Sequence, residues 1–306
     1  MINLFFAPVQ GHTDAAYRHF HSLLYGGNLT YYTPFIRLEK DDLRQRDVKD
    51  LTSPLNENTH LVPQIIFRDE YELNTLVKKI RSLGFREIDL NMGCPFPLQT
   101  SHRRGAATIK NEELAKVVIN CVENNADMEF SVKMRLGLNE TNEWKTLLPY
   151  LNKVKLKHVT LHPRVAKQQY GGEVMLDQFA DFLKESKNPV IYNGDIKTPD
   201  DMKSILEKFP LISGIMAGRG LLGRPSLFSE FSAQGEWDID VRINKMREFH
   251  KELFKHYSSV LCGDSQIISK IQPFWEYAED EIGRKQWKAI KKAVNLSKYQ
   301  TALAMI

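Results

Sequence analysis

Cys94 stands where an alternating run ends and a constrained loop begins, in the stretch EIDLNMGCPFPLQTSHRRG from Glu87 to Gly105. Ile88 and Leu90 alternate with Glu87, Asp89 and Asn91, the pattern of a strand with one buried face. Gly93, Pro95 and Pro97 then forbid both a longer strand and an immediate helix. A lone cysteine in such a place is ordinarily a small buried packing residue. Its neighbours point elsewhere. Asn91 brings amide donors and acceptors three residues earlier, and His102, Arg103 and Arg104 make a cationic cluster suited to an anionic partner. A metal role does not fit, because no second Cys or His stands at ligand spacing.

A second group with chemical potential is AGRGLLGRP, which contains Gly218 to Gly223. Glycines after a strand bare the backbone amides, and Arg219 among them adds a cation that can grip a phosphate by two donors. Asn193-Gly194-Asp195 supplies an adjoining wall. The likeness to a GxGxxG dinucleotide motif is superficial, since no βαβ opening with a ribose-binding acid surrounds it.

These residues need elements to hold them. Up to about Ser232, short apolar runs alternate with amphipathic segments. Strands are expected at Leu4–Ala7, Thr30–Pro34, Val62–Phe67, Ile88–Asn91, Glu129–Met134, His158–His162, Val190–Asn193 and Gly214–Ala217. Helices are expected at Glu70–Leu83, Asn111–Glu123, Glu143–Val154, Leu176–Glu185 and Asp200–Phe209, the last announced by Thr198-Pro199. Such alternation predicts an α/β protein with a (β/α)8 TIM barrel, the doubly wound open sheet being the alternative. A barrel puts its chemistry at the C-terminal strand ends, and here those ends are polar: Gln10, Gln64, Asn91, Lys133 with Arg135, His162 with Arg164, Asn193 with Asp195, and Arg219. A ring of such groups on one face would be costly to desolvate without a function.

The totals set outer limits. At 306 residues, with 42% hydrophobic and 26% charged residues, the chain suits one barrel-sized domain and a smaller second one. No apolar run approaches the ~20 residues that span a bilayer. The opening MINLFFAPVQG does not read as a signal peptide, and three scattered cysteines suit a reducing cytoplasm. From Asp240 onward, 12 Lys and Arg face 8 Asp and Glu, which accounts for the whole net charge of +4. A basic tail on a neutral body fits a polyanionic partner, or simply a solvated helix face.

Asn-Met-Gly-Cys-Pro, followed eleven residues after Cys94 by Gly-Ala-Ala, resembles the signature of the tRNA-dihydrouridine synthases, and the resemblance extends over nearly the whole chain. It implies a catalytic barrel over residues 1–238 that binds FMN tightly, a helical tRNA-binding domain over residues 239–306, and NADPH as reductant. It also implies roles. Ala7, Pro8 and Val9 would lie along the flavin, Gln64 would bond the isoalloxazine, and Lys133 would sit beside its N1/O2 edge. His162 would stand at the next strand end, with Asn193, Gly194, Asp195, Gly218 and Arg219 on the ribityl chain and phosphate.

The expected chemistry is reduction of the uridine C5=C6 bond, hydride reaching C6 and Cys94 giving a proton to C5. A thiol with a pKa of about 8.5 is mostly protonated at neutral pH yet releases its proton readily. Asn91, Arg135 and Tyr170 are expected to hold the uracil, and Lys270, Gln272 and Lys288 to meet the RNA. Pro97 and Leu98 stand where many of these enzymes carry lysine, a feature of the bacterial branch associated with position 16 of tRNA. The partner expected is tRNA, with no metal or membrane and a monomeric protein. A flavin reductase of a small molecule, or of a uridine in ribosomal RNA, is the alternative.

Overall fold

Pro63 interrupts the third strand of a parallel barrel and shows how the sheet closes. In the computed structural model, which describes residues 2–26 and 28–306, the barrel strands are β1 (Asn3–Phe6), β2 (Leu29–Tyr32), β3 (His60–Val62, resuming as Gln64–Ile65), β4 (Glu87–Met92), β5 (Glu129–Gly137), β6 (Val159–Val165), β7 (Val190–Asn193) and β8 (Gly214–Ala217). The first half of β3 pairs with β2 and its second half with β4. Each later strand pairs in parallel with the next, and β8 returns to β1. Proline has no N–H for the ladder, but the Pro63 carbonyl still accepts the Asp89 N–H at 2.9 Å. The single strand expected over Val62–Phe67 is therefore two short ones that begin earlier.

Parallel strands covered on both faces should be apolar throughout, and β6 is buried at every position. Inside the barrel, Phe5, Tyr32, Val62, Ile191 and Met216 fill the space below the mouth, so the barrel is a packed core rather than a pore. Helices surround it. Glu70–Ser82, Glu112–Asn124, Trp144–Leu151, Leu176–Glu185 and Pro199–Lys208 lie within a few residues of the expected spans. Their N-caps have the expected chemistry: Asp69, Asn111 and Thr198 each accept a first-turn N–H. The helix Ala15–Tyr25 lies outside the expected spans, and it buries Arg18 and His21. Both terminal nitrogens of Arg18 are nevertheless paired, donating to the Thr13 carbonyl at 2.7 Å, to Asp50 at 3.0 Å and to Asn56 at 2.9 Å, while its Nε finds no partner among the described residues.

The C-terminal region is helical. Its long helix, Ile239–Val260, packs on Ala15–Tyr25, with Phe249 and Tyr17 ring centres 4.8 Å apart. Shorter helices Asp264–Ile271, Glu279–Ile282, Arg284–Lys291 and Leu296–Leu303 follow. Met246, Phe249, Leu253 and Tyr257 are buried as their helical spacing predicts, and their cluster is continuous with the barrel's own core. No helix among the described residues is long and apolar enough to cross a membrane.

Candidate active site

A cavity of about 790 Å³ opens at the C-terminal strand ends, within the size range of cofactor and ligand sites. The residues expected to meet the cofactor and the uracil all line it: Ala7, Pro8 and Val9 after β1, Gln64 in β3, Asn91 and Cys94 at β4, Lys133 and Arg135 in β5, His162 and Tyr170 at and after β6, Asn193 to Asp195 at the end of β7, and Gly218 with Arg219 after β8. The cationic cluster does not: Arg104 is buried in an ion pair with Glu72, and His102 and Arg103 are exposed outside the cavity lining. The tail residues are elsewhere. Lys270 forms an ion pair with Asp14 at 2.7 Å. Gln272 spends its amide on the Ile290 and Ala293 carbonyls, at 2.7 and 3.2 Å. Lys288 is exposed on Arg284–Lys291.

Cys94 is held by its backbone. Asn91 Oδ1 accepts the N–H groups of Gly93 at 3.1 Å and Cys94 at 2.9 Å, turning the chain sharply off β4. Asn91 in turn donates to Gln64 Oε1 at 2.7 Å, Gln64 donates to Asp89 at 2.7 Å, and the Ser131 hydroxyl donates to the other Asp89 oxygen at 2.6 Å. Because a carboxylate can only accept, this chain settles which way both amides point. Burial raises the Asp89 pKa despite the bonds from Ser131 and Gln64. Gly105 closes over Cys94 with φ +60°; a side chain there would bring Cβ within 2.6 Å of the Cys94 carbonyl oxygen. Burial pushes the Cys94 thiol up, against the pull of the Phe96 N–H and of Arg135 and Lys133. The sulfur therefore keeps its proton at neutral pH.

Lys133 supplies charge without a fixed partner: among the described residues it makes no ion pair within 4.0 Å. Burial, reinforced by repulsion from Arg135, lowers its pKa to about 8 even with Asp89 nearby. Arg135 donates to the Val165 carbonyl at 3.1 Å and lies 5.4 Å from the centre of the Tyr170 ring. Burial and four surrounding cations, Arg135 first among them, drive the His162 pKa well below its usual value. Arg164 donates to His162 Nε2 at 3.1 Å, and since a guanidinium has no acceptor, the neutral ring carries its proton on Nδ1.

The far wall combines glycines with an arginine pair. A Cβ at Gly218 would lie 3.2 Å from Ala7 Cβ, and one at Gly194 3.0 Å from Val174 Cγ1. The first position keeps space open beside Ala7 and Val9 in the cavity wall, whereas the second lets the chain pack against Val174, Tyr192 and Pro163. Arg164 binds both oxygens of Asp195 and donates to the Gly172 carbonyl at 2.6 Å. Burial disfavours the Asp195 charge, yet the bond and charge of Arg164, helped by Arg219, hold its pKa below the usual carboxylate range. Arg219 reaches Asp195 at only 3.3 Å and stacks 4.1 Å from the Tyr170 ring centre, with its side chain 34% exposed. It is thus the arginine with capacity left for a ligand.

Several lining residues go beyond the expected set. Arg164, two residues beyond His162 on the same strand face, is legible in the sequence as a strand-end cation but not as the buried partner of Asp195. Phe96 is hidden between prolines. Tyr277, Asp280 and Glu281, from the C-terminal region, complete one wall of the cavity. Tyr277 abuts Gly223 so closely that a Cβ there would meet its carbonyl oxygen at 2.3 Å. No local signal marks such a wall. Among the described residues no group of three or more His, Cys, Asp or Glu is placed to hold a metal ion.

Comparisons with known proteins bear on family and fold. The Treponema pallidum protein named probable tRNA-dihydrouridine synthase is 28% identical over 319 residues, covering 99% of this chain and 92% of that protein. The tRNA-dihydrouridine synthase B of Pseudomonas putida is 23% identical over 305 residues, covering 98% and 89%. Among solved structures, morphinone reductase superposes with a TM-score of 0.55 at 9% identity over 77% of this chain and 87% of its own. The old yellow enzyme of Trypanosoma cruzi gives 0.55 at 7% identity over 77% and 89%. At those identities the likeness is one of barrel fold. The dihydrouridine synthase family model matches residues 5–304. This chain belongs to the dihydrouridine synthase family and is an oxidoreductase.

Proposed function

We propose that this protein is an FMN-dependent tRNA-dihydrouridine synthase. Residues 1–238 would form its catalytic barrel and residues 239–306 a helical domain that grips the RNA. The observation that carries the reading is the shared cavity: a thiol kept protonated by burial faces the same space as a lysine with no ion-pair partner among the described residues. The residues present fit FMN. The space kept open at Gly218 would take the ribityl chain with Asn193, Gly194 and Asp195, and Arg219 would take the phosphate. Ala7, Pro8, Val9, Gln64, Lys133 and His162 would border the ring system.

Reduced by NADPH, bound FMN supplies the hydride that C6 of a uridine receives. Cys94 completes the reduction: its S–H bond breaks as the C5–H bond forms, and solvent later returns a proton to the sulfur. Arg135 and Lys133 stabilise the thiolate left behind. Asn91, Arg135 and Tyr170 would orient the uracil, which must leave its stack to reach the mouth. Lys288, with Lys291 and Lys292 on the same exposed stretch, is the favoured phosphate contact of the tail. Lys270 and Gln272, already engaged with Asp14 and with carbonyls, would act by holding the tail in place.

The protein would work as a monomer in the cytoplasm. Purified protein should be yellow with one bound FMN, and RNA from a deletion strain should lack dihydrouridine at one tRNA site. A colourless protein that cannot be reconstituted would defeat the reading. Loss confined to ribosomal RNA would redirect it, and unchanged RNA with a yellow protein would favour a small-molecule reductase.

A further inference from the structure

Two apolar side chains stand in water beside the cavity mouth. Phe96 lines the cavity and is 45% exposed, while Leu98, two residues on, is 74% exposed. The turn that carries them is held firmly. Pro97 opens the single helical turn Pro97–Thr100, and the Gln99 and Thr100 N–H groups donate to the Phe96 carbonyl at 2.8 and 3.1 Å. Arg104 then anchors the loop through a buried ion pair with Glu72. Leu98 therefore stays outside by construction, at a hydration cost.

The surroundings suit nucleic acid. The Phe96 ring meets the Tyr170 ring edge-on at 6.4 Å, and Tyr170 carries Arg219 on its face. His102 and Arg103 are exposed on the following turn, and neither forms an ion pair among the described residues. An apolar pair beside an exposed arginine, Arg103, matches the bare base faces and phosphates of an opened RNA stack.

We propose that Phe96 and Leu98 form a wedge against the nucleotides flanking the target uridine, with Arg103 on an adjoining phosphate. The inference rests on the RNA-uridine reading above. A base that leaves its stack uncovers one face of each neighbour, and apolar side chains can cover them. Phe96 lies two residues from Cys94 and both line the cavity, so a nucleotide adjoining the one at Cys94 passes across this turn.

The test uses full-length, flavin-loaded enzyme and two probes once the modified position is mapped: an unmodified tRNA transcript, and the same transcript with abasic residues on both sides of the target uridine. On the intact transcript Leu98→Ser should lower kcat/KM about ten-fold, the loss lying in KM, since covering one leucine side chain is worth about that much. Leu98→Met should restore it, with the flavin spectrum unchanged throughout. On the abasic transcript Leu98→Ser and the unaltered enzyme should react alike. Equal rates on the intact transcript, an undiminished penalty on the abasic one, or loss of flavin from Leu98→Ser would each overturn the wedge while leaving the function standing. An unaltered enzyme that forms no dihydrouridine in any RNA would overturn both.

Discussion

Asn91 holds Cys94 through the main chain, accepting its N–H at 2.9 Å, while its own amide is pinned by Gln64 at 2.7 Å. The sulfur's position is therefore set by a hydrogen-bond chain that ends on a carboxylate at the barrel core, Asp89, with no exposed surface. Asn91→Ala would strip acceptors from two N–H groups and the donor from Gln64. We expect a loss of about 1–3 kcal/mol in urea unfolding, and a fall in turnover with the thiol still present, read by mass spectrometry of nucleosides.

Cys94→Ala should leave the flavin spectrum intact and lower dihydrouridine formation by roughly 10²–10⁴, the usual worth of a positioned acid. The pH profile gives a second readout. A proton donor works below its pKa, so the raised thiol pKa puts its alkaline limb above the ordinary value of about 8.5. Lys133 loses its charge first, near 8. In Lys133→Arg the earlier limb should disappear and the thiol limb remain.

Lys133 also has a stability cost. Its pKa is about 8 in the folded protein against 10.5 ordinarily, which corresponds to roughly 3 kcal/mol favouring the unfolded state at neutral pH. Between those values the unfolded chain binds more protons, so that penalty fades as pH rises through 8 towards 10.5. Lys133→Met should stabilise the flavin-free protein at pH 7, by an amount that shrinks on the alkaline side, while abolishing turnover. Urea titrations at several pH values would check it.

Arg219→Ala removes the arginine whose guanidinium is only partly engaged, whereas both terminal nitrogens of Arg164 are already bonded to Asp195, Gly172 and His162. FMN retention on dialysis should weaken by about 10- to 100-fold, as expected for a charge-assisted contact worth about 1.5–3 kcal/mol. RNA affinity of the reloaded enzyme should change little.

Replacing Lys288, Lys291 and Lys292 with Gln should weaken tRNA binding and lower the salt slope by about one for each phosphate that is no longer neutralised. Flavin content should not move, because none of the three lines the cavity. Filter binding between low and physiological salt would measure it.

Local chemistry was enough to read the alternation of strands and helices and the polar strand ends, and to mark Asn91 and Cys94 though not the bond between them, because these depend on neighbours within a few residues. An apolar run that stops at a polar cluster announces a strand end, and three residues separate the asparagine from the N–H that it holds. Gln272 shows where that kind of reading stops. From sequence its amide is free for RNA, but in the fold it caps carbonyls 18 and 21 residues away. The division of labour between Arg164 and Arg219, the unpaired state of Lys133 and the wall made by Tyr277 were likewise decided by tertiary structure. Each turns on desolvation and on partners from distant elements, and neither is a property of a residue's own neighbourhood in the chain.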